Sequence, residues 1–333
     1  MKNIIARAAA IAAALGIAWG TPVMAHDDGT WSLAIHGGAG TLERSDMSPE
    51  RDAAYRAALQ TALDAGAAIL KNGGSAVDAI EAAILVMEDD ARFNAGRGAV
   101  FTWDGTHELD ASIMDGRDRA AGAVAGVTGI RHPITLARKV MADGTHVMLS
   151  GRGAEEFAAE QGLETMPPEW FDTDARREAL ERLKAEKLSA IDVDIKFGTV
   201  GAVALDKDGN LAAGTSTGGM TGKRWGRIGD APVIGAGTYA DNSSCAVSAT
   251  GWGEYFIRAG VARTICARVH MLGESAQAAA DAVIADVGQM GGDGGVIVVA
   301  PNGDAVFSMN TGGMYRGRAT SAGASEVAIF ADE

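Results

Sequence analysis

The chain has 333 residues and carries 29 Lys and Arg against 43 Asp and Glu, a formal net charge of −14. That balance excludes a protein built to grip nucleic acid, which needs a basic face. With 47% apolar and 22% charged residues it can bury a core and is not a disordered chain, and its 45 glycines fall in short clusters without a collagen period.

Lys2 and Arg7 give a short positive start, and residues 8–18 are apolar but far shorter than the roughly 20 residues that span a bilayer. Val23-Met24-Ala25 has the form of a cleavage site, so residues 1–25 read as a secretory signal peptide. The expected mature protein is exported to a periplasm, with no membrane span and no nucleic-acid partner. Cys245 and Cys266 are the only cysteines. An oxidising compartment permits a disulfide, but spacing alone does not bring two Cα atoms together. The two are expected to be free, mostly buried thiols.

Trp31 begins a short strand-like run that ends in the turn cluster His36-Gly37-Gly38-Ala39-Gly40. Residues 51–71 read as a helix stopped by Asn72-Gly73-Gly74. Ser75 caps a second helix with Ala76, Ile80, Ala83, Ile84 and Met87 on one face. A hairpin is expected over 99–103 and 107–114 around Asp104-Gly105. A strand at 122–127, a helix at 134–141 and a strand at 146–149 follow. Residues 172–196 are charged, show no firm apolar face and read as the bulk of a mobile linker over 172–198. Beyond it, Asp208-Gly209 and Asn302-Gly303 mark two further hairpins, with helical stretches at 254–272 and 274–287 between them. Separate hairpin groups with paired helices predict antiparallel sheets covered by helices.

Two familiar motifs fail on context. Gly214-Thr215-Ser216-Thr217-Gly218 matches the serine nucleophile elbow, with His36-Gly37-Gly38 as a possible oxyanion loop and His270 downstream. An elbow must lead into a helix, and Gly219, Gly222, Gly226 and Gly229 forbid one. Gly235-x-Gly237-x-x-Ala240 is a partial dinucleotide fingerprint with no βαβ unit around it.

A third signal is Gly198-Thr199, a threonine placed directly after a glycine where the linker ends and a hairpin begins. Thr215-Ser216-Thr217-Gly218-Gly219-Met220-Thr221, Gly226-Arg227-Ile228-Gly229-Asp230 and Thr250-Gly251-Trp252-Gly253-Glu254 follow in order. With the His36-to-Gly40 opening, Phe93-Asn94-Ala95-Gly96-Arg97-Gly98 and Thr311-Gly312-Gly313-Met314-Tyr315-Arg316-Gly317, this set resembles the isoaspartyl peptidase and plant-type L-asparaginase family. These are N-terminal-nucleophile hydrolases, and the resemblance covers nearly all of the mature chain.

The resemblance implies an α+β fold, a four-layer αββα sandwich, and self-cleavage between Gly198 and Thr199. Residues 26–198 and 199–333 would become the α and β chains of an (αβ)₂ assembly. Thr199 would be the nucleophile, its freed α-amine the base, and Thr217 its support. A model α-amine has a pKa of about 7.7–8.0, which suits this work and leaves the six histidines without a catalytic role. Thr250 and the Gly251 N–H would form the oxyanion hole. Arg227, Asp230 and Gly253 would hold the zwitterionic head of a small or dipeptide substrate. Asn94 would neighbour Thr199. No cofactor is needed for catalysis, but main-chain carbonyls of Met87, Glu88, Asp90, Phe93, Ala95 and Arg97 would bind a structural sodium ion. The implied substrates are β-aspartyl peptides, L-asparagine or both; the alternatives are a glycosylasparaginase-type amidase and a secreted binding protein that does not mature. Trp225, where a proline is frequent, and Trp252 depart from the common pattern.

Overall fold

The computed structural model describes residues 29–40, 42–186 and 198–333. The signal peptide and most of the second half of the expected linker lie outside the described residues. In chain order the elements are β1 (Ser32–Gly40), α1 (Pro49–Lys71), α2 (Ala76–Glu88), β2 (Leu109–Asp115), β3 (Ala121–Val127), α3 (Pro133–Asp143), β4 (Met148–Ser150), α4 (Gly151–Glu160) and α5 (Asp174–Glu186). After residue 197 come β5 (Val200–Leu205), β6 (Leu211–Thr217), β7 (Thr238–Asp241), β8 (Cys245–Gly251), α6 (Gly253–Ala259), α7 (Val261–Leu272), α8 (Ala276–Gln289), β9 (Gly294–Val299), β10 (Ala305–Met309), β11 (Gly313–Thr320) and β12 (Ser325–Phe330).

The strands form an eight-stranded sheet, β12-β11-β1-β5-β6-β2-β3-β4, and a four-stranded sheet, β10-β9-β8-β7. Helices α1 to α4 cover the outer face of the large sheet, and α7 and α8 cover the small one. The two sheets pack face to face, with β1, β5 and β6 against β8 and β9. This is the expected αββα sandwich. Strand alternation builds it: Leu33 and Ile35 of β1 point to the helical layer, whereas Ala34 points into the sheet–sheet core. On β5, Val200, Ala202 and Ala204 share the first core, Val203 and Leu205 the second. Strands buried on both faces read as continuous apolar runs.

Several expectations change. Strand β1 does not stop at the glycine cluster but runs through it to Gly40, with a register shift between His36 and Gly38. Gly37 makes the bulge possible, because a Cβ there would lie 2.5 Å from the Phe93 ring. Residues 99–103 form no strand: β2 has both edges taken, by β3 and β6, and only the tight turn from Thr102 to Thr106 survives. The charged stretch is not wholly irregular. Helix α5 buries Arg176, Leu180 and Leu183, one face at helical spacing, and the Arg176 Nε donates to the Gly98 carbonyl. Its face escapes a hydropathy reading because one of its three anchors is an arginine stem. The helix expected at 254–272 breaks at Gly260, where φ is +56°. Finally, Cys245 and Cys266 are bonded, not free: α7 packs on β8 and brings their Cα atoms to 5.3 Å.

Candidate active site

The site begins at the strand ends. The β5–β6 register pairs Val200 with Ser216, which sets Thr199 opposite Thr217. The Thr199 Oγ1 donates to the Thr217 Oγ1 at 3.0 Å, and Thr217 also accepts the Gly219 N–H at 3.0 Å. With two bonds accepted, Thr217 keeps its own proton free to turn toward a deprotonated Thr199. Thr250 arrives from the other sheet, at the end of β8. Its Oγ1 accepts the Ala39 N–H at 3.3 Å and lies 2.6 Å from where a Gly198 Cβ would stand. Gly38, at φ +117°, closes the other side: a Cβ there would fall 2.4 Å from the Gly198 nitrogen. The bond before Thr199 is therefore packed between Gly38 and the Thr250 hydroxyl, and only glycine fits at 38 and 198. Gly251 follows Thr250 at φ +152°.

Arg227, Asp230 and Gly253 also come together. A Cβ at Gly253 would lie 2.8 Å from Asp230 Oδ1 and 3.0 Å from Arg227 Nη2. The Arg227 Nε and Nη2 hold Glu254 in a bidentate pair at 3.0 and 2.9 Å. This leaves the Nη1–Nη2 edge of the fork for a second carboxylate. Asp230 is buried, and its Oδ2 has no hydrogen-bond partner. Burial pushes its carboxyl up to about 6, against the pull of Arg227. A buried orphan oxygen beside an arginine fork suits a ligand that carries both an ammonium and a carboxylate.

Asn94 is buried and braces the turn after Thr217: its Nδ2 donates to the Gly219 carbonyl and its Oδ1 accepts the Val100 N–H. The loop after α2 crowds carbonyls around two glycines. A Cβ on Gly96 would lie 2.4 Å from the Glu88 carbonyl oxygen, and one on Gly98 would lie 2.0 Å from that of Phe93. Met87, Glu88, Phe93 and Ala95 are buried; the Asp90 carboxylate pairs with Arg92, and Arg97 lies over the Trp170 ring. Trp225 is 95% exposed, and Trp252 stands edge-on to Tyr255.

Ser216 is not an exposed nucleophile. It is buried on β6 and donates to Glu88 Oε1 at 2.6 Å. Two buried polar residues near the site, Asp110 and Lys223, are not singled out in the sequence, and a third, His36, is read there only as part of a glycine motif. Asp110, paired in register with Thr217, stands 3.9 Å from the Lys223 ammonium, and His36 accepts a place behind Thr199. Asp110 stands between Leu109 and Ala111 in a strand that also carries Asp115, so it is not set apart; Lys223 and His36 sit among glycines and stand out no better.

A four-layer αββα sandwich with a glycine–threonine bond at the head of a central strand, and a second threonine hydroxyl against the first, defines the class of N-terminal-nucleophile hydrolases. Residues 29–329 match the family described as Asparaginase, and the chain belongs to that family. It is 48% identical to the isoaspartyl peptidase of Escherichia coli K12 over 292 residues, which cover 85% of this chain and 91% of the relative. It is 44% identical over 283 residues to the isoaspartyl peptidase/L-asparaginase of Rattus norvegicus, covering 85% and 84%. With a probable isoaspartyl peptidase/L-asparaginase 2 of Arabidopsis thaliana the identity is 41% over 327 residues, covering 91% and 99%.

Proposed function

We propose that the protein cuts itself between Gly198 and Thr199 and then hydrolyses β-aspartyl amides, releasing L-aspartate from β-aspartyl peptides, L-asparagine or both. The observation that carries this is the Thr199–Thr217 hydroxyl pair, 3.0 Å apart, at the glycine bond packed against Thr250. In maturation the Thr199 Oγ adds to the Gly198 carbonyl carbon, the C–N bond breaks, and the chain passes through an ester. Water releases it as a Gly198 carboxylate and a free Thr199 α-amine. In turnover that amine takes the Oγ proton as Oγ attacks the substrate β-carbonyl. The Thr250 hydroxyl and Gly251 N–H stabilise the tetrahedral oxyanion, and the leaving amine takes the proton back. Water then cleaves the aspartyl ester. Arg227 holds the substrate α-carboxylate and Asp230 its α-ammonium, while Gly253 leaves room for both.

Carbonyls crowded around Gly96 and Gly98 suit a hard monovalent cation, and the sodium loop over Met87, Glu88, Asp90, Phe93, Ala95 and Arg97 belongs to the same reading. So does the (αβ)₂ assembly of chains 26–198 and 199–333. Among the described residues no helix is long and apolar enough to cross a membrane. The Cys245–Cys266 bond suits an oxidising compartment and supports removal of residues 1–25 on export to a periplasm.

Intact mass of the purified protein beside Thr199→Ala tests the reading. Two pieces are expected, the second beginning at Thr199, with hydrolysis of a β-aspartyl dipeptide. The variant stays one chain and is inactive. A wild-type chain that remains whole after prolonged incubation overturns it.

A further inference from the structure

The buried imidazole of His36 lies directly behind Thr199. Its Nδ1 is 2.9 Å from the Thr199 carbonyl oxygen, and its Nε2 is 2.8 Å from the Ser248 Oγ. A carbonyl only accepts, so Nδ1 carries the proton and Nε2 is left as an acceptor for the Ser248 hydroxyl. Burial holds the ring neutral by lowering its pKa to about 3, so it cannot also supply a proton at Nε2 near neutral pH.

From Ser248 the chain of hydroxyls continues through the space between the sheets. Ser248 Oγ is 2.7 Å from Thr215 Oγ1, which is 2.6 Å from Thr238 Oγ1. Ser112 Oγ donates to Thr238 Oγ1 at 2.7 Å and shares that proton with the Ala231 carbonyl at 2.6 Å. Each link sits beside a residue of the site. Thr215 is two residues before Thr217 on β6, Ser248 two before Thr250 on β8, and Ala231 follows Asp230. Strand side chains two apart share a face, so the network and the threonines belong to the same surface.

Room for this arrangement comes from one glycine. Gly201 lies in register between His36 and Thr215, and a Cβ there would fall 2.0 Å from Ser248 Oγ and 2.4 Å from His36 Nε2. The missing side chain is the gap through which two strands of one sheet reach the other.

We infer that His36, with Ser248 behind it, is a positioning residue for the nucleophile. The Thr199 Cα carries three heavy substituents: the carbonyl, the hydroxyl-bearing Cβ and the nitrogen. His36 pins the first and Thr217 the second, so the third, the α-amine that must face its own Oγ, is left one place. Catalysis by a terminal amine depends on such orientation, since nothing covalent holds the amine once the chain is cut. His36 touches neither substrate nor a reacting atom. The inference rests on the reading of Thr199 as the nucleophile.

The test is steady-state kinetics of the full-length protein on a β-aspartyl dipeptide, with the extent of self-cleavage and the thermal midpoint followed in parallel. His36→Ala is expected to lower kcat at least tenfold with KM within twofold, because Arg227 and Asp230 are untouched. His36→Asn returns an amide N–H toward the Thr199 carbonyl and is expected to recover part of the loss. A merely structural residue would show neither the kcat–KM split nor the rescue. A folded, cut His36→Ala with kcat within twofold of the wild type overturns the inference, as does His36→Asn no better than His36→Ala. Should His36→Ala fail to fold, Ser248→Ala decides: a several-fold fall in kcat at unchanged KM supports the inference, and an unchanged kcat overturns it. Failure of the underlying reading looks different, since the wild type would then stay whole or Thr199→Ala would still be cut or active.

Discussion

Thr199 and Thr217 face each other across neighbouring strands, hydroxyl to hydroxyl at 3.0 Å, with a single peptide bond separating Thr199 from the glycine packed under Thr250. The pair is held by the β5–β6 register and by the Gly219 N–H. Thr217→Val keeps the shape and removes the hydroxyl, so Thr199 loses its partner without a cavity. Expected is a fall in kcat on the order of 10²-fold, the scale of one lost proton-handling group. The measurement is kcat on a β-aspartyl dipeptide; a value within twofold of wild type would remove Thr217 from the chemistry.

Under the proposed function, Asp230 ties pH to substrate capture. Its carboxyl is raised to about 6 by burial, so it is ionised above that pH and protonated below it. The ammonium partner is thus lost as pH falls, and KM is expected to rise steeply below about pH 6. The stability sign is opposite. Between the unfolded value of about 4 and the folded value, the native state binds the proton more tightly, so this residue's contribution to stability falls as pH rises. Asp230→Asn is therefore expected to raise the thermal midpoint at pH 7. It should also raise KM by roughly 30-fold, the equivalent of about 2 kcal/mol for a charged hydrogen bond. Unchanged KM in this variant would place the ammonium elsewhere.

The layered fold and the ordered site motifs were legible because they rest on local chemistry. Ser75 caps a helix, Asp208-Gly209 and Asn302-Gly303 turn hairpins, and the buried strands β5 and β9 stay apolar throughout. What stayed hidden depends on distant partners. The bulge in β1 exists because Phe93 and Gly198 press on Gly37 and Gly38 from other parts of the chain. The disulfide needs α7 laid along β8, and 21 residues of separation do not reveal that. Residues 99–103 look like half a hairpin, yet β2 had no free edge. His36 reads as one letter of a glycine turn until Ser248 is brought across from the other sheet.

Ser216 separates this site from the serine hydrolase its flanking glycines imitate. Its hydroxyl is spent on the buried Glu88, whose carboxyl burial pushes upward and which also faces His132 and the Ile134 N–H. Ser216→Ala is expected to keep kcat within a few-fold and to cost about 1 kcal/mol of stability, one net hydrogen bond. Loss of hydrolysis in a folded, cut Ser216→Ala would reverse the assignment of the nucleophile.

The Cys245–Cys266 bond is expected to stabilise without serving catalysis. It closes a loop of about 20 residues, for which chain entropy gives about 3 kcal/mol. Cys245 begins β8 and Thr250 lies near its end, roughly 17 Å along the strand at about 3.4 Å per residue. Cys245→Ser is therefore expected to melt several degrees lower while keeping kcat at 25 °C. A variant with unchanged melting would show that the loop is ordered without its bond.

Gly38 offers the most direct test of how the cut is prepared. Its φ of +117° lies where other residues rarely go, and a methyl there would meet the Gly198 nitrogen at 2.4 Å. The backbone has little freedom to move away, because Gly38 is held on its other edge by pairing with Tyr315 of β11. The displaced partner would be Gly198, and with it the carbonyl that Thr199 must reach. Gly38→Ala is expected to slow self-cleavage at least tenfold, read as the fraction of uncut chain over time. Circular dichroism should show the sandwich intact, since neither core changes. Cleavage at the wild-type rate would mean that Gly198 has slack the packing does not suggest, and that the close approach of Gly38 has no part in maturation.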